Sequence, residues 1–260
     1  MAFFEEIEVL KHALLSWVIA FLVVSMVVFS VGFGTATVSK YTLRIPVFSS
    51  ESFATLFFQK VKKDVVPEGV TLIATSPISA FVSEMKIALL AAFILTLPFL
   101  MYELLSYLSP ALYKKERRAI LTLFLPSIAL FLLGALFSYA VLIPPLFRVL
   151  YSFNAALGVA PFFAVDDFIS WTVGLMFTVG IMFLLPILMY FLSLLRIIPA
   201  AFWGKHWREA CMISLVAFAV IVPDVSGIAM VLLTLPMLAL YLVGIGLSLT
   251  TAPKAEYAGG

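Results

Sequence analysis

Apolar residues gather into six long runs separated by short polar connections: Ala13 to Val31, Ile87 to Tyr107, Ile120 to Ile143, Phe168 to Leu195, Cys211 to Val222 and Gly227 to Leu249. A helix needs about 20 mostly apolar residues to cross hydrocarbon, so each run predicts a spanning helix. The fifth stays short even when taken from residue 209 or from Trp207, which predicts local thinning of the bilayer or a tight hairpin with the sixth. Pro98, Pro126, Pro186 and Pro236 stand inside the second, third, fourth and sixth runs. Each removes a backbone donor and crowds the preceding turn, so bends are expected there. The pattern predicts an all-α, polytopic membrane protein: six bent transmembrane helices in a curved, concave bundle, the last two short, forming one integral membrane domain over residues 1–260.

The first two runs are separated by a long segment, residues 32–84. Within it Phe53, Leu56, Phe57 and Val61 recur at helical spacing beside Glu51, Gln59, Lys60 and Lys62. This predicts an amphipathic helix near residues 51–63, lying on the outer membrane surface or capping the bundle. Val165-Asp-Asp-Phe-Ile169 reads as the N-terminal cap of the fourth span, where the helix dipole favours acids. No internal repeat is visible, which weakens the inverted-repeat signature of many secondary transporters.

Composition agrees with the pattern. The 260 residues are 64% hydrophobic and only 12% charged, with a mean hydropathy of +1.17, far from a soluble domain. A net charge of +2 is too small to indicate nucleic-acid binding. The one cysteine, Cys211, permits no intrachain disulfide and no thiol metal cluster. Glu5, Glu6, Glu8, Lys11 and His12 precede the first run, an acidic rather than cationic flank without a small-residue cleavage site, so this run reads as a retained span.

Short loops fix orientation through their Lys and Arg content. Residues 108–118 hold Lys114, Lys115, Arg117 and Arg118, and residues 196–208 hold Arg196, Lys205 and Arg208. The opposite side offers a loop with Arg148, Asp166 and Asp167, and a last turn with Asp224. Both termini are therefore expected in the cytoplasm, in a multi-pass protein of the cell membrane. Lys40, Arg44, Lys60, Lys62 and Lys63 in the long segment weigh less, because long loops cross largely regardless of charge.

The spans hold almost no ionisable groups; Glu103, near the cytoplasmic end of the second, is the exception. Coupled transport of small ions usually needs charges at membrane depth, so it is disfavoured. Thr96, Ser127, Ser138, Thr172, Thr178, Ser214 and Thr234 are expected to hydrogen-bond within or between helices. His12 and His206 lie at different boundaries, and no metalloprotease, serine-hydrolase or nucleotide-binding motif is present. Neither catalysis nor a cofactor is expected.

What remains is a set of acids on the cytoplasmic side: Glu5, Glu6, Glu8, Glu103, Glu116 and Glu209. Glu116 stands alone among Lys114, Lys115, Arg117 and Arg118. It is either a solvated partner in surface ion pairs worth about 0–1 kcal/mol or a docking group for a cationic peptide, since a carboxylate accepts a guanidinium bidentately. Periodicity does not choose between the two.

Pro110-Ala-Leu-Tyr-Lys-Lys-Glu-Arg-Arg118, preceded by Leu97-Pro98-Phe-Leu-Met-Tyr102, resembles the first cytoplasmic loop of the TatC family, the multispanning receptor of the twin-arginine protein translocase. Thr75-Ser-Pro-Ile-Ser-Ala-Phe81, Leu133-Gly-Ala-Leu-Phe-Ser-Tyr139, Val165-Asp-Asp-Phe-Ile169 and Val222-Pro-Asp-Val-Ser226 extend the resemblance, in order, over about residues 70 to 245. The resemblance implies six spans with both ends cytoplasmic. It implies recognition of the Ser/Thr-Arg-Arg motif in signal peptides of folded export substrates, recruitment of single-span TatA/TatB-type partners, assembly as an oligomer in the lipid bilayer, and energy from the proton-motive force without a bound nucleotide.

By the same resemblance, the signal-peptide site comprises Glu116 and Tyr107 with Pro110, Tyr113 and Arg117, and the N-terminal segment adds Glu8 and Lys11. Partner docking falls on Thr178, Leu184, Pro186 and Asp224. The chain departs from the family in three places. Glu8-Val-Leu-Lys11-His-Ala stands for a Glu-Leu-Arg-x-Arg pattern, Leu184 replaces a buried Glu or Gln in Phe183-Leu-Leu-Pro186, and Leu242 replaces an acid in the sixth span. Two other readings stay open: a small-molecule permease or channel with a Ser/Thr-lined path, and a divergent family member that has lost signal recognition.

Overall fold

Inside hydrocarbon a backbone amide finds no water, so a chain this apolar satisfies its own backbone through helices. The computed structural model describes residues 2–38, 41–48, 53–66, 70–108, 114–156, 162–221 and 227–251. In chain order they form α1 (Ala2–Ser30), β1 (Val31–Val38), β2 (Tyr41–Phe48), α2 (Phe53–Val65), β3 (Thr71–Ile73), α3 (Ser79–Leu108) and α4 (Lys114–Phe137). A π-helical turn over Ser138–Leu142 follows, then α5 (Ile143–Ala156), β4 (Phe162–Ala164), α6 (Val165–Phe183), α7 (Leu185–Leu194), α8 (Ala200–Lys205), α9 (Trp207–Ile221) and α10 (Ile228–Leu249). Among the described residues, Ser79–Glu103, Leu123–Ser152 and Val165–Leu194 are long and apolar enough to cross a membrane; Leu14–Ser30 and Leu233–Leu249 are shorter apolar helices.

Two departures from the sequence pattern have proline as their cause. The third apolar run does not end near Ile143 but continues through the π turn into α5, so Arg148 sits exposed on a helix rather than in a loop. Pro144 and Pro145 deny amide donors to the carbonyls four residues back, and the widened turn over Ser138–Leu142 accommodates that loss. The fourth run is two helices, interrupted at Leu184, whose amide bonds to the Ile181 carbonyl at 3.0 Å. Pro186 lacks the donor for Met182, but in the first turn of α7 it is well tolerated.

The strands lie outside the all-helical expectation. β1 and β2 pair antiparallel from Val31↔Phe48 to Val38↔Tyr41, and β3 pairs parallel with β4 from Thr71↔Phe162 to Ile73↔Ala164. Both pairs occur where the chain leaves the apolar runs.

Contacts divide the chain into two compact units, Met1–Pro110 with Tyr139–Phe177, and Ala111–Ser138 with Thr178–Gly260. In the first, α1 packs along α3. Trp17 meets Phe93 edge-on at 6.0 Å between centroids, and Phe29 meets Phe81 at 5.3 Å. The amphipathic helix α2 buries Ala54, Val61 and Val65 and exposes Lys60, Lys62 and Lys63. Burial of Val61 alone stabilises its seating by roughly 1.5–3 kcal/mol. Two side-chain bonds pin its ends: the Thr55 hydroxyl donates to Glu84 Oε1 at 2.7 Å, and the Tyr139 hydroxyl donates to Asp64 Oδ2 at 2.5 Å. Behind the β3–β4 pair, Phe147 contacts Phe163 and Phe168, with centroids 5.7 and 5.0 Å apart.

The second unit is held differently. A Cβ on Gly134 of α4 would lie 2.7 Å from Phe183 Cγ, and one on Gly180 of α6 would lie 2.7 Å from Phe131 Cε2. Each helix thus offers a glycine to the other's phenylalanine. Lipid tails are as apolar as these side chains, so close van der Waals approach over small residues supplies the association that burial supplies in water. Gly244 of α10 plays the same part against Met189 and Pro186 of α7.

Candidate functional site

Three of the residues assigned to signal binding, Tyr107, Glu116 and Arg117, fall at two helix ends. α3 runs to Leu108 and places Tyr107 in its last turn; α4 starts at Lys114 and carries Glu116 and Arg117 in its first turn. Lys114, Lys115, Arg117 and Arg118 crowd a helix N-terminus, where the macrodipole disfavours cations by about 0.3–1 kcal/mol each. Helix stability therefore does not explain the bases, and Glu116 is the one residue of the five that the dipole favours. Pro110 and Tyr113 lie outside the described residues, as do the side chains of Tyr107, Glu116 and Arg117. Glu8 is on α1, its side chain likewise outside, and Lys11 is exposed on the same helix. Tyr107, Glu8 and Lys11 belong to the first unit, Glu116 and Arg117 to the second.

The residues assigned to partner docking sit at the α6–α7 break. Thr178 is half-buried on α6, Leu184 is half-buried at the interruption, and Pro186 is buried on α7 beneath Gly244. Ile181 and Leu188, three residues before and four after Leu184, are 46% and 54% exposed. The break thus presents an apolar stripe. Asp224 lies outside the described residues.

Most intramembrane hydroxyls bond within their own helices. Thr96, Ser127, Thr172, Ser214 and Thr234 donate to the carbonyls of Ala92, Leu123, Phe168, Ala210 and Met230, at 2.7 to 2.8 Å. Such back-bonding leaves little polarity to line a path. Ser138 differs: its hydroxyl is buried without a partner at the start of the π turn.

A polar cluster that the sequence reading missed lies at the start of α3 and α6. Lys86 Nζ donates to Asp166 Oδ1 at 2.5 Å and to Ser170 Oγ at 2.7 Å. Asp166 and Asp167 occupy the first turn of α6, in keeping with the dipole, but Asp166 also binds across to a helix 80 residues earlier. The only signal was Lys86, one residue before the second apolar run.

Helices of membrane-spanning length, with glycine-mediated contacts and charges confined to their ends, define a multi-pass integral membrane protein. Residues 5–236 match the family model for the Sec-independent protein translocase protein, TatC. The chain is 32% identical to the Sec-independent protein translocase protein TatC of Aquifex aeolicus (strain VF5) over 240 residues, 90% of this chain and 93% of that one. It is also 32% identical to the TatC of Cenarchaeum symbiosum (strain A) over 195 residues, 75% and 74% of the two chains. A crystal structure of the twin arginine translocase receptor TatC superposes with a TM-score of 0.75 at 30% identity, covering 95% of this chain and 99% of that one. The same receptor in the detergent DDM gives 0.76 at 31% identity, with 94% and 99% covered. The chain belongs to the TatC family, and is a subunit of the Sec-independent translocase, a transport component of the cell membrane.

Proposed function

We propose that this chain is the core of the twin-arginine translocase that reads the Arg-Arg motif of signal peptides and recruits TatA/TatB-type single-span partners for export driven by the proton-motive force. Six spans, carried by α1, α3, α4 to α5, α6 to α7, α9 and α10, form one membrane domain with both termini in the cytoplasm. Glu116 is the reading residue. It is the lone carboxylate among four bases at the start of α4, where the helix dipole favours an acid but topology does not ask for one. Its bidentate acceptance of a guanidinium gives the site its preference for arginine. Tyr107, at the end of α3, Pro110 and Tyr113 between α3 and α4 in sequence, Arg117 next to the acid in sequence, and Glu8 with Lys11 on α1 complete the site.

Partner helices dock by shape at the α6–α7 break. Ile181, Leu184 and Leu188 form an apolar stripe there, and Leu184 offers no polar anchor. Thr178, Pro186 and Asp224 flank this surface in sequence. An oligomer of these chains with their partners is the working form.

Photocrosslinking of a twin-arginine signal peptide to the membrane-inserted protein tests the reading. Glu116→Ala and Glu116→Lys are expected to abolish the crosslink while leaving insertion intact. Undiminished crosslinking by both variants would overturn the assignment of Glu116.

A further inference from the structure

We propose that the connection between α7 and α9 is a binding site for the phosphate headgroups of anionic phospholipids. Residues 196–209 carry Arg196, Lys205 and Arg208 against a single acid, Glu209, and interleave them with Ile197, Phe202, Trp203 and Trp207. Bases beside amphipathic rings at the end of spanning helices match the layer where headgroup phosphates meet acyl chains.

The connection is a built platform. Trp203 Nε1 donates to Ser193 Oγ at 2.9 Å, tying α8 back to the last turn of α7, and the Tyr241 hydroxyl of α10 donates to the Trp203 carbonyl at 2.9 Å. The His206 ring stacks on Phe202 with centroids 4.1 Å apart. Arg208 lies over Trp207, its guanidinium carbon 5.6 Å from the ring centroid. Ile197 is 63% exposed and Trp207 45%, so apolar surface faces outward beside the charges. Among the described residues, none of Arg196, Lys205 and Arg208 makes an ion pair with a carboxylate.

Arg196 strengthens the case. Its φ of 56° puts an arginine in the left-handed region where glycine is preferred. The Ile197 amide bonds to the Leu192 carbonyl at 3.0 Å and the Arg196 amide to the Ser193 carbonyl at 3.1 Å, the Schellman pattern that a glycine closes without strain. The fold would be better served by glycine, so the guanidinium has another use. A twin-arginine peptide is repelled by this patch, and an anionic lipid surface is attracted.

The full chain, reconstituted in phosphatidylcholine vesicles carrying a minor fraction of brominated phosphatidylglycerol or of brominated phosphatidylcholine, reports lipid proximity through tryptophan quenching. The wild-type chain is expected to prefer phosphatidylglycerol, by about fivefold per unpaired base at most. Arg196→Gly and Arg208→Gln should each lower the preference severalfold, and Arg196→Gly should leave the unfolding temperature unchanged or raised, a combination that a purely structural role for Arg196 does not give. Replacing Lys60, Lys62 and Lys63 of α2 by Gln should leave the preference intact. Equal quenching by the two lipids, a preference surviving the combined Arg196→Gly, Lys205→Gln and Arg208→Gln variant, or an equal loss in the α2 variant would overturn the proposal. Displacement of the lipid by millimolar inorganic phosphate, or by polyglutamate, would overturn the lipid as the occupant.

Discussion

The start of α3 and α6 and the last turns of α4 and α6 hold helices together by opposite means. At the helix starts, Lys86, Asp166 and Ser170 share hydrogen bonds, and Thr55–Glu84 and Asp64–Tyr139 pin α2. In the α4–α6 contact, the work is done by Gly134 under Phe183 and Gly180 under Phe131, with no charge at all. Where water reaches, polar pairs are individually weak because each group has a solvated alternative. Within hydrocarbon, the alternative to a good contact is lipid, and fit alone decides.

The glycine pair gives the largest expected effect. Gly134→Ala places its methyl against the root of the Phe183 ring, which cannot swing away, and should destabilise by about 1–3 kcal/mol in reversible unfolding from detergent micelles. Gly180→Ala meets the far edge of the Phe131 ring instead; it should cost less than Gly134→Ala, though the ring is fully buried. Equal tolerance of both alanines would show that the helices do not interlock.

Next comes Tyr139→Phe, which removes the bond to Asp64 and should cost about 0.5–1.5 kcal/mol. Hydrogen exchange should speed up in α2 more than in α6. Smallest is Lys86→Met: both partners of its ion pair are about one-third exposed, so the loss should stay within about 0–1 kcal/mol and shrink further in high salt. A larger loss would mean that the helix starts are as dependent on their contacts as the α4–α6 seam.

The same contrast explains what could be read from the sequence. Apolar runs announce helices because hydrocarbon imposes one solution, and α2 was legible from Phe53, Leu56, Phe57 and Val61. The Pro186 signal was visible but not its form, one helix ending and another starting, and the π turn before Pro144-Pro145 was not foreseen, because local carbonyls rather than the whole helix adapt. The β3–β4 pair and the Lys86–Asp166 link join segments some 80 to 90 residues apart in sequence, and such pairings leave no periodic trace. At the candidate site, the position of Glu116 in the first turn of α4 was not legible from its charge neighbours, and that position is what removes helix stability as the reason for the bases. Its reading as an arginine acceptor came from Pro110 to Arg118 as a motif. Leu184 was noted for the acid it replaces; its place at a helix break, with Ile181 and Leu188 exposed beside it, needed coordinates.

The central claim is that a single carboxylate reads arginine. Affinities of an Arg-Arg signal peptide and its Lys-Lys counterpart for the reconstituted wild-type chain and for Glu116→Gln test it most directly, because a bidentate carboxylate distinguishes a guanidinium from an ammonium and an amide does not. The account predicts that the wild-type chain favours the Arg-Arg peptide by about tenfold, on the scale of one charge-assisted hydrogen bond, and that Glu116→Gln erases the difference. A Glu116→Gln chain that still prefers the Arg-Arg peptide as strongly as the wild type would contradict it.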